Sequence, residues 1–221
     1  MRKDKLSVIK TLFYCADNYA SIFLNKNYLF IYRVKNRIKY QEVVFKDYNF
    51  KHLTGVKTHF SAKDFFSACK NRRLSETDIT LQSTTFQKLA VLPMLQNIVC
   101  SPSLIGEYNN SGFNLDSDYL AGKELLSVGF RKDKMDYGVP NTLLKLSIKK
   151  VTVQAHKVLA VLSKKIDEPN YNSITYQAKG IELFELELPG TLKNKIAPNL
   201  LITCDDQVDI ALDETAPTKS T

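Results

Sequence analysis

Between residues 5 and 20 apolar side chains recur every three to four positions, with Leu6, Ile9, Phe13, Ala16 and Ala20 on one side, which predicts an amphipathic helix. The period then changes. Residues 28–35 and 39–46 are short runs rich in Val, Ile, Phe and Tyr around Asn36-Arg37-Ile38, the pattern of a β-hairpin. Helical spacing returns after Ser61-Ala62-Lys63-Asp64, a capping-box-like start for a helix through Lys70 that buries Phe65, Phe66 and Cys69. Ser75-Glu76-Thr77-Asp78 reads as a further helix start. Residues 85–99 read as a helix with Phe86, Leu89, Leu92 and Leu95 on its apolar side and a kink at Pro93.

The second half is strand-like. Residues 103–108, 124–131, 142–150, 156–165 and 172–177 are β-branched or alternating segments separated by Gly, Asn, Asp and Pro clusters. A helical block before a run of antiparallel strands predicts an α+β fold. The pattern fades from Pro189-Gly190 onward, where residues 199–203 read as a last strand or a docked peptide. The acidic run after residue 205 has too few apolar groups to fold alone. The predicted organisation is an N-terminal helix (1–24), one main domain (25–188) and an acidic, disordered tail (189–221).

Composition narrows the class. With 221 residues, 44% of them hydrophobic and 24% charged, the chain can bury one sizeable core. No run approaches the roughly eighteen apolar residues of a membrane helix, and Lys10 and Asp17 mark the N-terminus as a helix of the mature protein rather than a secretory leader. Cys15, Cys69, Cys100 and Cys204 are scattered, without CxxC pairs or histidines at ligand spacing. That argues against a zinc site and a disulfide framework, and predicts reduced thiols in the cytoplasm.

Charge is unevenly placed within the net +8. Residues 1–75 carry 16 Lys and Arg against 5 Asp and Glu, a surplus of +11, whereas residues 182–221 carry 3 against 8, or −5. A basic N-terminal third suits a polyanion such as nucleic acid, through counterion release, although a solvated basic face has the same composition. The acidic tail, with Asp205, Asp206, Asp209, Asp213 and Glu214, reads either as a solubilising tail that touches nothing or as a competitor of a polyanion for that face.

The densest chemistry lies in Asn49-Phe50-Lys51-His52-Leu53-Thr54-Gly55-Val56, which sets one of only three histidines beside a hydroxyl and a cation. Proton transfer on a phosphate ester needs such a set. The same residues also describe a plain surface turn, with Gly55 at positive φ and Thr54 capping the next segment. His59 and His156 sit in less distinctive surroundings. There is no Gly-rich phosphate loop, GxSxG, HExxH or dinucleotide fingerprint, and Asp116-Ser117-Asp118 lacks the spacing of a cation loop.

The run Val43-Val44-Phe45-Lys46-Asp47-Tyr48-Asn49-Phe50-Lys51-His52-Leu53-Thr54-Gly55, followed by a helix containing Phe65-Phe66, resembles the opening motif of group four of the phage-associated Barnase–EndoU–colicin–RelE-like (BECR) nucleases. Gly129-Phe130, Val139-Pro140-Asn141-Thr142-Leu143-Leu144 and Tyr171-Asn172-Ser173-Ile174-Thr175-Tyr176 are also similar to that group, so the resemblance spans roughly residues 40–185.

The resemblance implies a BECR/RelE-like fold, helices on an antiparallel sheet with the active site on the sheet's open face. It further implies a cytoplasmic, toxin-like endoribonuclease of a phage or mobile element in a bacterial host. Such an enzyme cuts RNA, tRNA or mRNA, through 2′-OH attack with no metal or other cofactor. The chemistry needs a base, an acid and cations at the phosphorane. On this chain it assigns His52 to proton transfer with Thr54 positioning it, Arg131 and Lys164 to phosphate charge, and Tyr176 to base stacking or proton donation. Lys51, Lys57, Arg72, Arg73 and Lys132 are the expected RNA-binding cations. No second histidine lies in a comparable motif, so a two-histidine mechanism is not expected. A cognate inhibitor or host protein is a further expected partner. The competing readings are a non-catalytic nucleic-acid-binding protein and a host-defence-interacting protein with a degenerate nuclease-like fold.

Overall fold

The first helix, α1 (Arg2–Phe23), turns Val8, Ile9, Leu12, Cys15, Ala16, Tyr19 and Phe23 into the core. This stripe is rotated from the expected one. Leu6 is 47% exposed, and the partly buried Phe13 carries the Arg72 guanidinium over its ring. The computed structural model describes residues 2–110 and 115–202.

After α1 come β1 (Lys26–Val34), β2 (Arg37–Val44), α2 (Asn49–Thr54), α3 (Ala62–Lys70), α4 (Ser83–Leu89) and α5 (Asn97–Cys100). The remaining strands are β3 (Leu104–Glu107), β4 (Tyr119–Gly122), β5 (Ser127–Lys132), β6 (Gly138–Leu144), β7 (His156–Lys165) and β8 (Ser173–Gln177), followed by α6 (Gly190–Lys193). The fold is α+β. Its strands form one eight-stranded sheet in the order β1-β2-β6-β5-β4-β3-β7-β8.

That sheet is not open. β1 pairs with β2 along one edge and with β7 along the other, so the first seven strands close into a ring and β8 hangs on β7. The seam is thin: β2 and β6 meet in parallel through the single pair Val43 and Gly138, while every other pairing is antiparallel. The sheet is therefore a barrel-like ring with two ends rather than a flat layer.

Strand alternation assigns the two sides. Tyr28 and Phe30 of β1 join Phe45, Val128, Phe130, Val158 and Val161 in the largest core cluster, which α1, α2 and α3 plug with Tyr19, Phe50 and Phe65. Leu29 and Ile31 face the other way, onto Leu183, Leu186, Leu192 and Ile196 of the C-terminal segment. Glu42 ties that segment down by accepting from Tyr171 Oη at 2.9 Å and pairing with Lys195 Nζ at 2.7 Å.

Several boundaries differ from the sequence reading. Residues 85–99 are broken into α4, a 3-10 turn over Leu92–Met94 and α5, because Pro93 begins a new turn rather than kinking one helix, and Phe86 is 52% exposed. β4 was not expected: Ala121 and Gly122 are poor strand formers, and pairing with β3 and β5 on both edges supplies what propensity does not. β6 begins at Gly138 and ends at Leu144, while Ile148–Lys150 forms a 3-10 turn. Pro198–Leu200 is likewise a 3-10 turn, with Leu200 and Leu201 packed on the ring. The acidic run from Asp205 lies outside the described residues.

Candidate active site

The His52 motif is a short helix rather than a turn. Asn49 accepts from the Lys46 backbone N–H at 2.8 Å and starts α2, while Phe50 and Leu53 anchor it in the core. Thr54 is fully buried. Its hydroxyl donates to the Lys51 carbonyl at 2.8 Å and accepts from the Val56 N–H at 3.2 Å, so it ends its own helix rather than capping the next segment. Of the positioning roles expected for Thr54, toward His52 or toward a phosphate, these bonds suit the first, since they hold the helix that bears His52. Gly55 follows at φ +67°, and a Cβ there would lie 3.1 Å from Lys88 Cδ and 3.3 Å from the Thr84 backbone. A bare glycine both stops α2 and lets α4 come close.

The close approach delivers a cation to the histidine. Lys88 Nζ donates to the His52 carbonyl at 2.7 Å and reaches Thr142 Oγ1 on β6 at 3.4 Å. His52 itself is exposed, its pKa held below the usual 6.5 by partial burial first and then by the charges of Lys88 and Lys51. The imidazole is neutral at pH 7 and able to accept a proton. Burial likewise lowers the Lys88 ammonium below its ordinary value.

Thr142 connects this end of the molecule to β5. Thr142 pairs with Gly129, and a bulge at Asn141 separates that pair from the one between Phe130 and Pro140. A side chain at Gly129 would fall 2.4 Å from Ser117 Oγ and 2.8 Å from Thr142 Cγ2, so the glycine lets Ser117 and Thr142 close over β5 here. Two residues along β5, Arg131 projects on the same side and pairs with Asp116 at 2.6 Å, while Asn141 donates to the Asp116 carbonyl. Asp118 accepts from the Lys132 backbone N–H at 2.7 Å. Both acidic side chains are thereby engaged with β5, and among the described residues no three His, Cys, Asp or Glu side chains are grouped as metal ligands.

His52, Lys88 and Thr142 therefore meet at one place, and Arg131 lies on the same side of β5 as Gly129, the strand partner of Thr142. Other expected site residues do not join it. Lys164 donates to the Pro169 carbonyl at 2.8 Å with its Nζ over the Tyr171 ring. Tyr176 packs partly buried against the core from β8. Arg72 is held by Asp17 beside α1, with Lys70 on the same carboxylate, and Arg73 reaches Ser67 Oγ at 3.4 Å. Lys51 donates to the Phe60 carbonyl at 2.6 Å. It borders a shallow hollow with Lys57, His59 and Asp78. Lys132 pairs with Asp136 at 2.7 Å and faces a different cavity, shared with His156.

Lys88 and Asp116 escaped the sequence reading as site residues. Lys88 is one charge in a stretch that reads as an ordinary helix, with no local signal. Thr142 and Asn141 were present in the Val139–Leu144 run, but their partners, Lys88 of α4 and Asp116, lie far away in sequence.

The family model described as phage-Barnase-EndoU-ColicinE5/D-RelE like nuclease4 matches residues 11–180, which takes in the second half of α1 as well as the ring. Comparison with curated proteins and with solved structures finds no match. Among the described residues no helix is long and apolar enough to cross a membrane.

Proposed function

The chain belongs to this family of phage-associated nucleases, and on that premise we propose that it is an endoribonuclease whose active site is the surface formed by His52, Lys88, Thr142 and Arg131. The observation that carries the reading is the meeting of three separated motifs. The His52–Gly55 run on α2 and Thr142 on β6 meet at the Lys88 ammonium, and Gly129 on β5 is the strand partner of Thr142. One surface thus holds a neutral imidazole and two cations.

In this reading His52 accepts the proton of a ribose 2′-OH as the oxygen attacks the adjacent phosphorus. The bond to the leaving 5′-oxygen breaks, and that oxygen takes up a proton. The products are a 2′,3′-cyclic phosphate and a free 5′-hydroxyl. Lys88 and Arg131 offset the charge gathering on the phosphorane oxygens, with Arg131 exchanging Asp116 for phosphate. Thr54 and Gly55 position the helix that holds the base. The residues assigned to the chemistry supply proton transfer and positive charge without a metal ion, and no cofactor is part of the proposal. A toxin-like role in the cytoplasm of a bacterial host fits this activity.

Defined RNA and the equivalent DNA are incubated with wild type and His52→Ala, each with and without EDTA. The reading expects RNA cleavage that survives chelation, leaves cyclic phosphate ends, and falls by about a hundredfold to ten-thousandfold in the variant. Equal cutting of DNA, loss of activity in EDTA, or full activity in His52→Ala would overturn it.

A further inference from the structure

The other side of β5 opens onto a second feature. Arg131 points to the surface described above, while its neighbour Lys132 borders a cavity of about 790 Å³ at the end of the ring away from the helices. That volume lies in the range of roughly 300–1,000 Å³ typical of small-ligand sites. Its wall carries an aromatic platform: Tyr32 of β1 and His156 of β7 stack with ring centroids 6.3 Å apart and planes 30° apart.

The cavity also holds a polar group without a protein partner. Tyr119 is 6% exposed, and its hydroxyl makes no hydrogen bond among the described residues. Its space exists because residue 138 is glycine, since a Cβ there would lie 1.6 Å from the phenolic oxygen. A buried hydroxyl left unmatched costs stability, so the fold tolerates here a group that a ligand would satisfy. Around it stand acceptors. The Gln41 amide nitrogen donates to the carbonyls of Glu42 and Asp136 at 3.2 and 3.1 Å, which leaves its carbonyl oxygen free, and Glu107 adds a carboxylate. At the rim, Lys39 is exposed and makes no ion pair among the described residues.

We propose that this mouth is a nucleotide subsite, taking one unstacked base of single-stranded RNA onto the Tyr32–His156 platform with its phosphate at Lys39, and at Lys132 when it exchanges Asp136 for the phosphate. A flat heterocycle with donors and acceptors on its edge suits an aromatic platform beside a hydroxyl donor and two oxygen acceptors. The cation outside the aromatic wall suits the phosphate. Arg131 and Lys132 are consecutive on β5 and project to opposite sides of the strand, so an RNA strand crossing this edge of the ring would reach both the proposed cleavage surface and the base pocket. That the nucleotide belongs to RNA rests on the endoribonuclease reading.

The test measures binding apart from cleavage. AMP, GMP, CMP and UMP, and short 2′-O-methyl oligonucleotides that cannot undergo 2′-OH attack, are titrated against full-length wild type, Tyr119→Phe, Lys39→Glu and His52→Ala. Tyr119→Phe removes a hydroxyl with no protein partner, so its thermal stability should match or exceed wild type while nucleotide affinity falls about tenfold. Lys39→Glu should weaken the phosphate-bearing ligands at an exposed position where folding is not at risk. The losses caused by Tyr119→Phe and Lys39→Glu should persist in the His52→Ala background. Absence of binding by wild type, or wild-type affinity in both Tyr119→Phe and Lys39→Glu, would overturn the subsite. Mononucleotide binding without oligonucleotide binding would keep a nucleotide pocket but overturn its role in RNA. Oligonucleotide binding weakened by both variants, in a protein that cleaves no RNA, would sink the endoribonuclease reading and leave the subsite standing.

Discussion

The Lys88 ammonium donates to the carbonyl oxygen of His52 at 2.7 Å, which sets a positive charge at the C-terminal end of the helix that carries the imidazole. A cation is favoured there by the exposed carbonyls of the last turn. The same charge disfavours protonation of His52 and so keeps the base in its reactive form. One lysine thus links the stability of α2 to the chemistry proposed for it.

Lys88→Met should therefore raise the His52 pKa toward 6.5, though not fully, since burial is the larger cause of its depression. For a base that acts unprotonated, the acid limb of the kcat/KM profile lies below pH 6.5 in wild type and should move to higher pH in the variant. The stability linkage has the same sign. A histidine depressed on folding favours the native state fully above its unfolded pKa, and that contribution is lost as pH falls through the folded value. Titration of the His52 ring protons by NMR checks the shift, and an unchanged pKa would remove Lys88 from this role.

Gly55→Ala should destabilise the fold by about 1–2 kcal/mol, because an L residue at φ +67° meets steric cost. The new methyl also presses on Lys88 Cδ and the Thr84 backbone. Chemical denaturation measures the first effect. The His52 pKa reports the second, since displacing Lys88 should raise it.

Arg131 and Asp116 should respond in opposite directions. Arg131→Ala is expected to lower RNA cleavage by roughly a hundredfold, the scale of losing one charge-stabilising group. Asp116→Asn releases the guanidinium from its exposed ion pair and should tighten RNA binding at low salt, with little effect on stability because both partners are solvated. Parallel losses in both variants would point to a structural pair.

The basic residues should separate by how they are engaged. Lys57 is exposed, so Lys57→Glu should weaken RNA binding and reduce the slope of log K against log salt by about one. Arg72→Glu should leave that slope unchanged and instead loosen the packing of α3 on α1, since Arg72 serves Asp17 and Phe13. Salt titrations of RNA affinity and a thermal melt distinguish the two.

The sequence by itself determined what local patterning can encode. The 3.6-residue period set α1 and α3, alternating β-branched runs set the β1–β2 hairpin and β7, and Ser61 with Asp64 set a helix start. His52 was visible because an imidazole, a hydroxyl, a lysine and a glycine are rare neighbours. Closure of the ring was not legible, because it depends on β1 using both edges, one of them with a strand more than a hundred residues away. Nor was the role of Thr54 or the use of Lys88: burial converts the one hydroxyl into a helix stop, and Gly55 admits the helix that carries the other charge. The basic third of the chain was a correct count of charge but did not show which cations are already engaged, as Lys70 and Arg72 are by Asp17 and Lys51 by the Phe60 carbonyl. Periodicity fixes which face of an element is apolar; only the packed structure decides which elements those faces bring together, and therefore which polar groups meet.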